Sequence, residues 1–204
     1  MRFLALKFIV LLVNSLSVSY AENVPLIRAS EDRIALIDWL AKYQMECSSL
    51  FEISASSHLP PIGEISYEVS NLVDSLSSTA WVEGVSGLGK GEEILYKIKE
   101  PTTDNESKKF DGEFLVINGL ARNPETWEKN ARVKQIACFY NGEHIFTVEL
   151  QDIMNPQLFS LRDVDAFANR IFKAGDRISF LLWKMYPGSK YEDTCLSALI
   201  PLSQ

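Results

Sequence analysis

The chain is poor in the residues that build metal and redox sites. Its 204 residues include three cysteines and two histidines, and no two cysteines stand as Cys-x-x-Cys. His58 and His144 lie in unrelated segments, so no four-ligand zinc set is present in the pattern. No metal and no cofactor is expected. Basic residues are also short, with 20 Lys and Arg against 27 Asp and Glu and a net charge of −7. Binding to a phosphate backbone draws on clustered Lys and Arg, and the short "SKK" at 107–109 reads as solvated loop. Nucleic acid is therefore excluded as an expected partner. Repeats, low-complexity tracts and Gly/Ser linkers are lacking as well, which points to one domain. The uninterrupted apolar stretch Phe8–Val13 falls far below the roughly 20 residues that a bilayer span requires.

That apolar stretch belongs to "MRFLALKFIVLLVNSLSVSYA", residues 1–21. A basic start (Arg2, Lys7), an apolar centre, and Ser19 and Ala21 at −3 and −1 of a cut make a secretory signal peptide. The expected product begins near Glu22, has 183 residues and, with two basic residues fewer, a charge of −9. It is expected to be secreted or periplasmic, with no membrane span once the signal is removed. An oxidising compartment allows one disulfide among Cys47, Cys138 and Cys195. Cys138 alternates with Ile136 and Tyr140 in a strand pattern and reads as a buried apolar residue. Cys47 and Cys195 remain as the expected pair.

Residues 22–49 read as an N-terminal helical extension. In "SEDRIALIDWLAKYQME" (30–46), Ser30 suits an N-cap, Glu31 and Asp32 suit the first turn, and Ile34, Ile37, Leu40 and Tyr43 form a stripe. From residue 50 to 204 the signals are those of strands. "FEISASS" (51–57), "EEILYKIK" (92–99), "EFLVING" (113–119), "PQLFSL" (156–161), "RISFLLWKMY" (177–186) and "TCLSALIPL" (194–202) each fit one. "VKQIACFYNGEHIFTVEL" (133–150) predicts a hairpin turning at Asn141-Gly142. The stretch 101–112 and the segment around Trp127 read as loops, and 163–176 as a helical turn or two stopped by Gly175. Many short strands with little helix predict an all-β sandwich of the jelly-roll kind.

Two stretches carry more than fold class: "NLVDSLSSTAWVEGVSGLGKGEEI" (71–94) and "YPGSKYEDTCLSALI" (186–200). With Asn130, Arg132 and Lys134, they resemble the NAD-glycohydrolase translocation domain, also called the NADase-type glycan-binding domain. That family is discoidin-like (galactose-binding-like) and related to the type C domains of coagulation factors. The matching positions are Asp74, Thr79-Ala80-Trp81, Glu83, Gly87, Gly89 and Gly91-Glu92, then Tyr186, Gly188 through Tyr191, Asp193 through Cys195, and Ser197. The resemblance spans residues 50–202 and implies a discoidin-like β-sandwich that binds carbohydrate without catalysing a reaction. Two departures stand out: Ser75 replaces a family glycine, and Ala198 replaces a family glutamate. Calcium takes six to eight oxygen ligands, carboxylates among them. With one carboxylate lost, no high-affinity calcium site is expected at Asp74.

The candidate ligand contacts are Trp81, Glu83, Trp127, Tyr186, Lys190 and Tyr191. An aromatic ring on a rim loop can stack on the apolar face of a sugar. Trp81 serves equally as a plug of the core with its indole N–H on a carbonyl, and this is the favoured reading. Gly87, Gly89 and Gly91 do not make a phosphate loop, because "GKGEEI" runs into a strand rather than a helix. Glu83, Glu92 and Glu93 offer carboxylates for glycosidic cleavage only if two are held at a fixed separation across the bond. The segment 186–195 reads chiefly as a structural corner, with its tyrosines as second-choice contacts. The expected function is an exported, non-enzymatic module that binds a glycan, or alternatively a protein surface on a toxin or enzyme partner.

Overall fold

A computed structural model describes residues 24–29, 47–100 and 110–203 of the chain. The signal peptide, the helix expected at 30–46 and the loop at 101–109 lie outside the described residues.

Ten strands dominate: β1 (Leu26–Arg28), β2 (Phe51–Ala55), β3 (Trp81–Val82), β4 (Glu93–Ile98), β5 (Phe110–Asn118), β6 (Ala131–Tyr140), β7 (Glu143–Glu149), β8 (Gln157–Ser160), β9 (Arg177–Tyr186) and β10 (Thr194–Ser203). A front layer runs β2-β4-β9-β6-β7-β1, antiparallel except that β1 lies parallel to β7. A back layer runs β8-β5-β10, with β3 beside the start of β10. The layers join where Ala131 and Arg132 of β6 pair in parallel with Thr194 and Cys195 of β10. The chain is an all-β sandwich, as expected.

The core lies between the layers and is strongly aromatic. Phe114 of the back layer meets Phe180 of the front edge-to-face at 4.8 Å, and Tyr96 at 5.5 Å. Phe159 meets Phe180 at 5.8 Å. Such pairs add about 0.5–1.5 kcal/mol each beyond their buried area. The Tyr96 hydroxyl donates across the layers to the Leu199 carbonyl, so this buried polar group is satisfied.

Strand periodicity was legible residue by residue. Ile94 and Tyr96 are fully buried, and so is Cys138 between β7 and β9. At the hairpin tip Asn141 and Gly142 take φ of 49° and 87°, the two positive values that a right-twisted two-residue turn needs. The 163–176 segment holds the expected helical turn, a 3-10 turn at Asp165–Phe167 that follows another at Leu161–Asp163. Two local readings are corrected. The segment 22–49 contributes β1, which extends the front layer, so it is not solely helical. Trp127 lies on a short helix, α2 (Pro124–Lys129), and not on a loop; α1 is the single turn Cys47–Leu50. Among the described residues no helix is long and apolar enough to cross a membrane.

Candidate functional site

The rim of the sandwich near Asn118, Arg132 and Tyr186 gathers four of the six sequence candidates. The helix α2 forms there because Asn123 caps it. The Asn123 side chain accepts from the Thr126 N–H at 2.9 Å, Thr126 Oγ1 accepts from the Asn123 N–H, and Pro124 opens the first turn. This turn brings Trp127 back over Gly119, where a Cβ would lie 2.7 Å from the indole and 2.8 Å from Arg132 Cγ. With φ at +77°, Gly119 is the residue that lets both side chains close. The indole N–H donates to the Asn118 carbonyl at 2.9 Å. The Asn118 side chain in turn pairs with both backbone groups of Val133, stitching β5 to β6.

Arg132 is the hub of this end. It is 7 % exposed and binds Asp152 bidentately, at 2.7 and 3.0 Å. Its remaining donor reaches the carbonyls of Asn130 (2.9 Å) and Pro187 (3.4 Å), and its guanidinium lies 4.5 Å from the Trp127 ring centre. One buried cation therefore ties α2, the start of β6 and the 187–193 corner together. Its fork geometry suits two carboxylate oxygens as a lysine would not. Arg132 was visible beforehand only as part of a motif, and Asp152 carried no signal at all.

The corner itself is tightly built. A Cβ on Gly188 would stand 2.5 Å from the Lys129 carbonyl oxygen and from Asn130 C, and closer still to the Tyr191 oxygen. The N–H groups of Ser189, Lys190 and Tyr191 donate to Glu128 and Lys129 carbonyls, capping the end of α2. Tyr186 is half-buried, donates to the Leu150 carbonyl at 3.1 Å and sits under Lys134. Burial, with Asp152 and Glu149 nearby, raises its hydroxyl pKa. Lys190 and Tyr191 face outward: Tyr191 is 42 % exposed, and the Lys190 ammonium lies 5.0 Å from its ring centre.

Trp81 and Glu83 do not join this surface, because both are fully buried. The Trp81 indole donates to the Ser57 carbonyl at 2.9 Å, as a core plug does. The Glu83 carboxylate accepts from the N–H groups of Val85 (2.8 Å) and Thr194 (3.2 Å) and packs on Gly89. Burial raises its pKa against those two hydrogen bonds. It clamps the glycine-rich loop to the last strand and presents nothing to a ligand. The Glu92 carboxylate accepts from the Ser56 and Ser57 hydroxyls.

Cys195 is a free thiol in this structure, in contrast to the bridge expected with Cys47. Its sulfur donates to the Asp193 carbonyl and packs in a small cluster with Ala80 and Val82. Burial, with Asp193 and Glu83 nearby, pushes its pKa far up. The Cys47 side chain lies outside the described residues. Asp74 turns into its own loop, accepting from the Leu76 N–H and the Thr79 hydroxyl, both within 2.8 Å. Among the described residues no three His, Cys, Asp or Glu side chains converge as metal ligands would.

The opposite end holds a feature that the sequence did not announce. A cavity of about 330 Å³ is lined by Tyr140, Asn141, His144, Phe167 and Arg170. The Arg170 guanidinium lies 4.3 Å from the centre of the Tyr140 ring and 5.0 Å from that of Phe167. Desolvation lowers the pKa of His144 beside it.

No curated protein matches this chain. Among solved structures, it is similar to two cryo-EM structures of the arabinofuranosyltransferase AftD from Mycobacteria. One match has 13 % identity over 73 % of this chain with a TM-score of 0.49, the other 12 % over 74 % with 0.47. This chain spans about a tenth of the transferase's length, 10 % and 11 % in the two cases. The model of the NAD glycohydrolase translocation F5/8 type C domain matches residues 42–200, which takes in β2 to β9, most of β10 and the Arg132 corner. The chain belongs to the NAD glycohydrolase translocation F5/8 type C domain family.

Proposed function

We propose that this protein is an exported, non-catalytic module that recognises carbohydrate through the corner at 189–191. The observation that carries the reading is the pairing of an exposed ring, Tyr191, with a cation, Lys190, on a backbone pinned to α2 by three hydrogen bonds. A phenol face open to water stacks on the apolar face of a pyranose, while nearby ammonium and carbonyl groups orient its hydroxyls. A rigid corner limits the ordering entropy lost on binding. Non-catalytic action is supported by the use of Glu83 and Glu92 as loop clamps.

A glycan array run on the wild type and on Tyr191→Ala tests the reading. Hits that disappear in the variant, with an unchanged circular dichroism spectrum, support it. An array without hits from a natively folded chain rejects it. The family's description as a translocation domain favours a second reading, in which the same rim docks on a protein partner. A blank array together with saturable binding to a purified NAD glycohydrolase supports that alternative.

A further inference from the structure

The cavity at the hairpin end takes no part in the 189–191 corner, and its lining divides into an apolar floor and two charged walls. Tyr140, Ile145 and Phe167 form the floor, each less than a tenth exposed, and the two rings meet edge-to-face at 5.1 Å. Arg170 stands over them, its guanidinium 4.3 Å from one ring centre and 5.0 Å from the other. Two rings beside one guanidinium narrow the positions it can take, which orders it in advance of a ligand. Glu143 pairs with Tyr140 across the β6–β7 hairpin, so both side chains leave the sheet on the same side, and Glu143 lines the same cavity. Among the described residues neither Arg170 nor Glu143 makes a salt bridge. Asp176, on which the Arg170 charge acts through space, is taken by the Tyr140 hydroxyl at 2.5 Å, the Lys173 N–H at 2.8 Å and the Asn141 amide at 3.2 Å. Asn141 also accepts from the Arg177 N–H at 2.8 Å, which fixes the hairpin tip beside Glu143 to the start of β9.

We propose that this cavity binds a small zwitterion, an α-amino acid with an aliphatic side chain, with the carboxylate on Arg170 and the ammonium on Glu143. About 330 Å³ is at the small end of ligand cavities and gives room for one such molecule. A guanidinium fork suits both oxygens of a carboxylate, and a carboxylate accepts readily from an ammonium group. A simple anion, such as a sugar acid, satisfies Arg170 but brings a second negative charge into the space that Glu143 lines. A simple cation satisfies Glu143 but meets Arg170. Like charges repel as strongly as opposite charges attract at the same separation, so a ligand bearing both signs matches both walls. Ile145, Val164 and Phe167 offer apolar surface to its side chain. The site is independent of the carbohydrate reading, because Tyr191 lies at the other end of the sandwich.

An NMR titration of the native chain with L-leucine tests the proposal. Saturable shifts are expected at the amides of 141–145 and 164–170, with a dissociation constant in the millimolar range. N-acetyl-leucine, leucinamide and glucuronate each lack one of the two charges and should bind at least about tenfold more weakly. Arg170→Gln and Glu143→Gln each remove one charge from the walls. Each should weaken leucine binding by at least about tenfold, with Tm unchanged. Glucuronate binding as tightly as leucine would make the cavity a plain anion site and overturn the proposal. Shifts that never saturate, shifts confined to the 189–191 corner, or equal leucine affinity in wild type and both variants would overturn it as well.

Discussion

Replacing Gly188 with alanine isolates one interaction, because one methyl group is added and nothing is removed. No positive φ occurs at this position, so alanine meets no backbone restriction and the effect is one of space. The added carbon would lie about 2.5 Å from Lys129 O and Asn130 C, and nearer still to Tyr191 O. All three are backbone atoms, so no side-chain rotation relieves the overlap, and α2 must separate from the corner. Overpacking costs about 1–3 kcal/mol in general, and contact with backbone on every side places this case near 3 kcal/mol. For a domain of this size about 3 kcal/mol lowers Tm by roughly 6–12 °C. Scanning calorimetry of the purified variant reads that shift. The three N–H bonds from 189–191 to Glu128 and Lys129 should also exchange faster. A Tm within 1 °C of wild type would refute the tight seating of the corner on α2.

Three further outcomes follow from other parts of the molecule. Ser75 holds φ at +63°, a region where glycine meets no steric penalty, so Ser75→Gly should stabilise the fold by about 0.5–1 kcal/mol in urea titration; destabilisation would mean the loop needs its hydroxyl. Burial opposes ionisation of Asp176, but hydrogen bonds from Tyr140, the Lys173 N–H and Asn141 outweigh it and hold its pKa below the ordinary value. Its stabilising share is therefore present above about pH 4 and is lost as pH falls through the folded pKa. Asp176→Asn should flatten the acid limb of the stability curve, and an unaltered limb argues against the network. Cys138 and Cys195 should resist a thiol reagent in the native state and react on unfolding, since burial raises both pKa values. A Cys47–Cys195 linked peptide found by mass spectrometry would contradict the free thiol.

The fold was more legible than the site, for physical reasons. Strands such as β4 and β9 show their burial through period-two alternation, and the Asn141-Gly142 turn announces its own geometry. By contrast, β1 is three residues long and gains its pairing only from β7, a contact distant in sequence. The short helix α2 was hidden because a single capped turn leaves almost no periodic signal. Trp81, favoured as a core plug, and Glu83 stood among the ligand candidates because indoles and carboxylates suit both ligands and interiors. Their burial is decided by Ser57 and Thr194, 24 and 111 residues away. Asp152 and Arg170 gave no hint, since each acts on partners brought near only by the folded chain.

The central claim is that the 189–191 corner recognises carbohydrate through the open face of Tyr191. Calorimetric titration of the strongest array glycan into wild type and Tyr191→Ala tests it most directly. Loss of the stacked ring should weaken binding at least about tenfold, or about 1.4 kcal/mol, with Tm unchanged. Equal affinity in the two proteins would contradict the claim.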